Sequence, residues 1–226
     1  MRAGGIVATR LLGGASAVLL LAGLAAAFGY APRDAVQGNV QRIMYIHVPS
    51  ILTAYVAIGV VLVGSIGYLA TRRREWDRAA AAAGELTVCF TAITLVTGSI
   101  WGKPTWGTWW TWDARLTATA LLFVIYLAYL LLRGVVDDPE RAAIYAAVLG
   151  IFGALDVPII HFSVQWWRTL HQPATVLRPQ APTMDPTMLL ALGLNVLACV
   201  CTFAYLATRR YRLLTLEAEA QTRAWR

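Results

Sequence analysis

Charged residues are scarce in this chain, and their scarcity excludes an ordinary soluble domain. Asp, Glu, Lys and Arg make up 14% of the 226 residues, whereas hydrophobic residues make up 58%. Soluble domains carry about 25% charged residues on average. The composition therefore predicts an integral membrane protein. No shift in composition marks an internal boundary, so we expect a single membrane domain over 1–226.

Cysteine is also scarce, and its spacing excludes two kinds of site. The three cysteines are Cys89, Cys199 and Cys201, and no Cys-x-x-Cys pair is present. Thiol–disulfide exchange and zinc binding commonly depend on such closely spaced thiols. Because all three cysteines fall within apolar runs, we interpret them as small buried apolar residues.

Six apolar runs are each long enough to cross about 30 Å of hydrocarbon at about 1.5 Å per residue. These runs are too long and too weakly alternating for barrel strands, so they predict an all-α membrane protein with six transmembrane helices. The first run spans about 20 residues and exceeds the roughly 7–15 typical of a signal-peptide core, so we expect it to be retained. The approximate spans are 11–30, 48–70, 84–101, 114–133, 141–161 and 187–208.

The Lys and Arg residues are distributed unevenly between the two sides of these spans. With the N-terminus inside, 13 of the 19 lie on the inner side and six on the outer side. Inner connections of membrane proteins carry an excess of Lys and Arg, so both termini are predicted to be cytoplasmic, with a cytoplasmic tail over 209–226. This topology also explains the net charge of +7, so no nucleic-acid partner is expected.

The outer connection between the third and fourth spans, a predicted loop over 101–115, is unusually rich in tryptophan. Interfacial anchoring explains some tryptophans at membrane surfaces, but not five in one short connection. Because each indole can bury roughly 150–250 Å², the run predicts a platform for a large, flat, apolar molecule. The five residues are Trp101, Trp106, Trp109, Trp110 and Trp112.

Histidine occurs only three times, and all three residues map to the outer edge. Neutral imidazole is a common metal ligand, and two imidazoles can fill the axial positions of haem iron. A porphyrin must enter between its two ligands, so they should come from separate segments. His47 and His171 meet this demand. His161 is a weaker partner for His171, because it lies near the end of the fifth span and His171 follows ten residues later, so both would approach from the same side.

Charged residues beside the tryptophans have more than one possible role. Asp113 is well placed as the N-cap of the fourth helix. A cation in the first turn of a helix opposes the helix dipole, so Arg115 needs an anion, either Asp113 or a haem propionate. Lys103 and Arg168 are the other outer cations near the aromatic segments. Asp156, inside the fifth span near Pro158, is either a functional carboxylate or a hydrated or protonated interfacial residue.

Three motifs, in this order, resemble those of a family of haem-handling membrane proteins. They are Met-Tyr-Ile-His-Val-Pro at 44–49, Trp-Gly-Thr-Trp-Trp-Thr-Trp-Asp-Ala-Arg at 106–115 and Trp-Trp-Arg-Thr-Leu-His-Gln at 166–172. Over about 40–175 the chain resembles the cytochrome c maturation protein C (CcmC) family. Haem lyase subunits share the tryptophan signature but are longer and have more spans.

The resemblance implies a haem-delivery protein in the bacterial cytoplasmic (inner) membrane, with its site on the periplasmic side. It implies haem b (iron protoporphyrin IX) with His47 and His171 as axial ligands, and a tryptophan signature running from Trp106 to Arg115 with Trp101 just upstream. The implied partners are the haem chaperone CcmE, the ABC transporter subunits CcmA and CcmB, and the small subunit CcmD. No acid–base pair or activated nucleophile is visible, so we expect a binding protein rather than an enzyme.

Two other functions are open to a protein with several spans. A solute permease usually has polar or broken helices near the membrane midplane, whereas the polar groups here cluster at one face. A quinone-linked redox subunit holds haem b between histidines within the bundle, whereas these histidines lie at its rim. The basic tail is expected to contact either anionic lipid or the ATPase subunit.

Overall fold

The structure, a computed structural model, describes residues 3–171, 181 and 183–224, and no β-strand occurs among them. A π-helical turn, Ala26–Tyr30, extends the first helix, and a 3₁₀ turn, Val40–Ile43, precedes the second. Six segments of the described chain are long and apolar enough to cross a membrane, so the predicted all-α, six-span fold is confirmed. The α-helices are α1 (Ala3–Ala25), α2 (Met44–Thr71), α3 (Arg74–Trp106), α4 (Ala114–Val135), α5 (Pro139–Ala154), α6 (Asp156–Trp166) and α7 (Pro186–Ala224).

The tryptophan-rich connection is shorter than the loop expected over 101–115. α3 continues to Trp106, so that residue and Trp101 lie on a helix. The helix ends there because Gly107 adopts a left-handed conformation (φ 80°), from which its N–H bonds the carbonyl of Lys103 at 3.0 Å. Glycine has no Cβ to oppose this conformation. The loop therefore starts one residue after the second tryptophan.

Helices α3 and α7 extend well beyond their apolar runs. α3 begins at Arg74, ten residues before the predicted span, and α7 continues to Ala224. The segment expected as a tail, 209–226, is thus a continuation of the last helix over its described part. Hydropathy detects only the apolar part of a helix, so polar extensions beyond the hydrocarbon leave no signal.

The fifth span, Pro139–Trp166, is broken just past its middle. α5 ends at Ala154, Leu155 forms a turn, and α6 begins at Asp156. Pro158 has no N–H to donate to the carbonyl of Ala154, four residues earlier, so the regular ladder is interrupted there. The break aims α6 and its following loop independently of α5.

Small residues allow the helices to approach closely. α2 packs against α3, α5 and α7, and α1 packs against α7. At the α2–α5 contact, a Cβ on Gly150 would lie 2.8 Å from Cγ1 of Val61, so only glycine fits. Such contacts are typical of helix association in membranes. The buried alanines of the central cluster are Ala54, Ala57, Ala80, Ala83 and Ala146.

The interpretation of all three cysteines as buried is wrong. Cys89 is exposed on α3, and Cys199 and Cys201 on α7 are half-buried. Bilayer lipid is as apolar as a protein core, so an apolar run alone does not tell which of its side chains face inward.

The bundle has two distinct ends. We call the end that carries the segments 31–39, 107–113 and 167–171 the site end, because Gln37 contacts Trp101 and Asp113 contacts Leu170 there. At the opposite end, Arg133 of α4 forms a bidentate ion pair with Asp77 of α3, with N–O distances of 2.7 and 3.0 Å.

Candidate functional site

A cavity of about 540 Å³ opens in the site end of the bundle. Small-molecule sites usually enclose about 300–1,000 Å³ within mainly apolar walls. Helices α2, α3, α4, α6 and α7 all contribute to its wall, together with the segment after α6. All three histidines of the chain line it: His47, His161 and His171.

His47 lies in the first turn of α2 and faces α3. Its Nδ1 is 3.1 Å from the carbonyl oxygen of Thr94 and 3.2 Å from Oγ1 of Thr97. The indole of Trp101 meets the imidazole edge-on, with ring centroids 5.7 Å apart and an interplanar angle of 74°. The imidazole is therefore held by one face of α3.

His171 lies in the irregular segment that follows α6. Its backbone N–H donates to Oγ1 of Thr169 at 2.9 Å, and its ring meets Trp106 edge-on at 4.7 Å. Nδ1 is 3.4 Å from Oδ2 of Asp113, yet it is buried without an aligned hydrogen bond to any described residue. Burial lowers the pKa of His171, and the nearby Asp113 only partly offsets this effect. The ring is therefore neutral at pH 7 and has a lone pair to donate.

Asp113 joins the start of α4 to the segment that carries His171. Its Oδ1 accepts the N–H of Leu116 at 2.8 Å, which confirms the predicted N-cap. Its Oδ2 accepts the N–H of Leu170 at 3.2 Å. The Asp113 carboxylate thus fixes both the N-terminus of α4 and the segment that carries His171.

Arg115 lines the cavity without an ion pair to any described residue. Nη2 donates to the carbonyl oxygen of His161 at 3.2 Å. Nε is buried and has no hydrogen-bond partner in the described part of the chain. A half-buried guanidinium with a spare, buried donor fits an anionic group in the cavity, since a charge with little access to water is costly without a partner.

The five tryptophans do not share one surface. Trp101 and Trp106 line the cavity, and each contacts one of the two histidines predicted as ligands. Trp109 and Trp112 are 58% and 80% exposed, and Trp110 is half-buried with its ring 5.5 Å from that of Trp112. None of these three is part of the cavity wall. The loop after α3 therefore separates two inward indoles from three that lie outside.

Asp156 and the cations Lys103 and Arg168 lie away from this cavity. Asp156 lines an open groove on the far side of α4 and α6, and Arg168 lines it too. Asp156 is only 6% exposed, and its Oδ2 has no hydrogen-bond partner among described residues. Lys103 is exposed and donates to the carbonyl of Gly107. Gln172, the last residue of the third motif, lies outside the described residues.

Sequence reasoning missed several residues that hold the site. Gln37 accepts the indole N–H of Trp101 at 2.8 Å, which ties the segment 31–39 to α3. Thr94, Thr97 and Gly98, which are also on α3, face His47. These α3 positions, with Trp101, follow the i, i+3, i+4, i+7 spacing of one helix face. That spacing is a signal in the sequence, but only the fold shows which histidine it meets.

Comparisons with known proteins agree with this architecture. The family model described as "Heme exporter protein C" matches residues 4–226. The protein named Heme exporter protein C in Bradyrhizobium diazoefficiens is 44% identical over 205 residues, which cover 90% of this chain and 78% of that protein. Its namesake in Escherichia coli K12 is 39% identical over 211 residues, 93% of this chain and 84% of the relative. A putative cytochrome c biosynthesis ccmC-like mitochondrial protein of Arabidopsis thaliana is 37% identical over 193 residues, 84% of this chain and 73% of the relative.

Proposed function

The chain belongs to the heme exporter protein C family, and from this membership we propose that it binds haem b (iron protoporphyrin IX) between His47 and His171. It delivers this haem to the periplasmic chaperone CcmE during c-type cytochrome biogenesis. Family membership and the six apolar spans make it a multi-pass bacterial membrane protein that handles haem for cytochrome c biogenesis. Haem is its cargo.

One observation carries the proposal: two imidazoles from distant segments line one cavity. His47 is on α2 and His171 follows α6, and each ring has an indole against its edge. Axial ligation by two histidines needs ligands that approach a flat macrocycle from opposite faces. Rings on a helix and on a separate segment are suited to that approach. His161 lies within α6 and is not assigned as a ligand.

Other groups of the site are assigned by their chemistry. Arg115 pairs with a haem propionate, because its guanidinium has an unused donor at the cavity wall. Trp101 and Trp106 pack beside the two ligands. Asp113 orients His171. Trp109, Trp110 and Trp112, which lie outside the cavity wall, are assigned to the outward side of the site, where the porphyrin would meet the chaperone.

The protein supplies binding and orientation, while the vinyl group that would bond to the chaperone belongs to the haem. We therefore propose a delivery protein rather than an enzyme. The excess of Lys and Arg at the end of the bundle opposite the site end favours a site at the periplasmic face of the inner membrane. The proposed assembly includes the ABC transporter subunits CcmA and CcmB and the small subunit CcmD.

Absorption spectroscopy of the protein purified from membranes tests the proposal. The wild-type protein should retain haem with a six-coordinate, bis-histidine spectrum. His47→Gly and His171→Gly should each lose that spectrum, and added imidazole should restore part of it by filling the space of the missing ring. His161→Ala is the control, since it keeps the carbonyl that binds Arg115. An unchanged spectrum in either glycine variant would overturn the proposal.

A further inference from the structure

One face of α3 is shaped around His47. We propose that Thr94, Thr97 and Gly98 fix the tautomer and orientation of this imidazole, so that Nε2 is the nitrogen presented to iron. The inference rests on the proposed function and goes beyond it, because it assigns positioning residues outside the three sequence motifs. These residues act on the iron through the imidazole that they contact.

The tautomer follows from the two groups that face Nδ1. The carbonyl oxygen of Thr94, at 3.1 Å, can only accept a hydrogen bond. The hydroxyl of Thr97, at 3.2 Å, has one proton, which it donates to helix carbonyls: that of Ile93 at 2.7 Å and, more weakly, that of Thr94 at 3.3 Å. Toward His47 this hydroxyl therefore also acts as an acceptor. Two acceptors around one nitrogen require that Nδ1 carries the proton.

A proton on Nδ1 leaves Nε2 of the neutral ring with its lone pair. Histidines that bind metals usually donate their other N–H to a carbonyl or carboxylate, which fixes the tautomer and raises the basicity of the ligating nitrogen. The Thr94 carbonyl is part of the α3 backbone, so it is as rigid as the helix. His47 is thus prepared for ligation before any haem arrives.

The orientation of the ring depends on a missing Cβ. A Cβ on Gly98 would lie 3.0 Å from Cε1 of His47 and 3.4 Å from its Nδ1. That spacing is tighter than ordinary van der Waals contact, so alanine would push the imidazole away from α3. Trp101, one turn further along, limits the ring on another side. Helix backbone and indole together hold the imidazole in one orientation.

The other proposed ligand is held in a different way. Nδ1 of His171 faces the carboxylate of Asp113 at 3.4 Å, and its ring meets Trp106 at the end of α3, about two turns beyond Gly98. A change at Gly98 or Thr97 should therefore weaken one axial bond and leave the other intact. The expected signature of this single weakened bond is a partial change from six-coordinate to five-coordinate haem rather than loss of all binding.

The tautomer is measurable without haem. The chain contains three histidines, so the ring nitrogens of ¹⁵N-histidine-labelled apo-protein give few NMR signals, which His161→Ala and His171→Gly variants assign. We expect the His47 signals to show a protonated Nδ1 and an unprotonated Nε2 at pH 7. A protonated Nε2 in the wild-type protein would overturn the inference.

Gly98→Ala tests the orientation. The added Cβ should shift the imidazole from its hydrogen-bond partners on α3, and loss of such an outer-shell partner typically lowers metal affinity 10–100-fold. We expect a loss of about 10-fold in haem affinity with an increased five-coordinate fraction. Gly59→Ala is the matched control, because it lies on the same helix as His47 and a Cβ there meets nothing within 4 Å. Equal haem affinity and equal spectra in the two variants would contradict the inference.

Thr97→Val tests the hydrogen bond while keeping the shape of the side chain. Without this acceptor the ligand becomes less basic, so the haem reduction potential should rise, and Thr97→Ser should restore it. Thr91→Val is the control, since its hydroxyl bonds only the carbonyl of Thr87 on its own helix. If His47→Gly abolishes the spectrum but Thr97→Val and Gly98→Ala behave like their controls, the positioning role fails and the proposed function stands. If His47→Gly is silent, the proposed function fails, and the apo-protein NMR still decides the tautomer.

Discussion

At the scale of single residues, Asp113 connects stability and binding more directly than any tryptophan beside it. Its two carboxylate oxygens accept from Leu116 on α4 and from Leu170, next to His171. The same carboxylate lies 3.4 Å from Nδ1 of His171. An acidic residue in this position therefore has three effects that alanine removes together: the helix cap, the attachment of the segment and the orientation of the ring.

Asp113→Ala should lower both stability and haem binding. Loss of an N-cap costs about 1 kcal/mol, and the freed segment no longer orients His171. Thermal unfolding in detergent measures the first effect and the bis-histidine spectrum measures the second. Asp138→Ala is the matched control, because Asp138 caps α5 at the opposite end of the bundle through Glu140 and Arg141. A spectrum that changes equally in the two variants would show that Asp113 acts only on stability.

At the scale of helices, the α3–α4 pair is fixed at its two ends by different means. At the site end the short loop with Gly107 connects them. At the opposite end Arg133 forms its ion pair with Asp77, and its guanidinium lies 5.6 Å from the ring centroid of Tyr129. The side chains of Arg133 and Asp77 are only 22% and 11% exposed, so this pair differs from the exposed pairs elsewhere. Removing one partner leaves a charge with little access to water.

Asp77→Ala should destabilise the bundle substantially. Removing one partner of a buried pair costs about 3–5 kcal/mol, and because Arg133 retains some exposure we expect about 3 kcal/mol. The double variant Asp77→Leu with Arg133→Met should recover most of the loss, since neither charge is then left unpaired. Glu75→Ala, which breaks the exposed pair with Arg73, is the control and should leave the unfolding temperature unchanged. A double variant as unstable as the single one would mean that the pair itself stabilises the fold.

The sequence predicts the helices better than it predicts their ends. Long apolar runs leave no alternative to membrane helices, and the N-cap at Asp113 follows from residue type and position. The end of α3 depends on the conformation of Gly107, and hydropathy carries no information about φ. Because of that one boundary, the prediction treated Trp101 and Trp106 as part of a loop with Trp109. In the fold, the first two indoles line the cavity and the third is exposed.

At the scale of the whole molecule, the cavity depends on helix order rather than on any local segment. His47 and His171 are far apart in the sequence, and five helices must assemble before they line the same space. Because histidine is scarce and these two residues lie at or beyond predicted helix ends, the sequence is enough to identify them as candidate ligands. The contacts with Thr94, Thr97 and Gly98 require the register of α2 against α3, which neither composition nor periodicity specifies.

The orientation of the bundle in the membrane is also a property of the whole molecule, and it is predicted from the charged residues alone. The distribution of Lys and Arg predicts that the site end faces out of the cytoplasm and that the end of α7 faces in. Single cysteines on a background without the native thiols test this orientation. Val36→Cys lies at the site end on a residue that is 93% exposed, and Ala220→Cys lies on the exposed last turns of α7. The native residues to be replaced are Cys89, Cys199 and Cys201.

A membrane-impermeant thiol reagent should label Val36→Cys in intact spheroplasts and Ala220→Cys only after the membrane is permeabilised. Both variants should retain the bis-histidine spectrum, because neither residue lines the cavity. Labelling of Ala220→Cys but not Val36→Cys in intact spheroplasts would invert the bundle. The cavity would then open to the cytoplasm, where it cannot supply a periplasmic chaperone. Orientation therefore decides whether the geometry of His47 and His171 serves delivery outward.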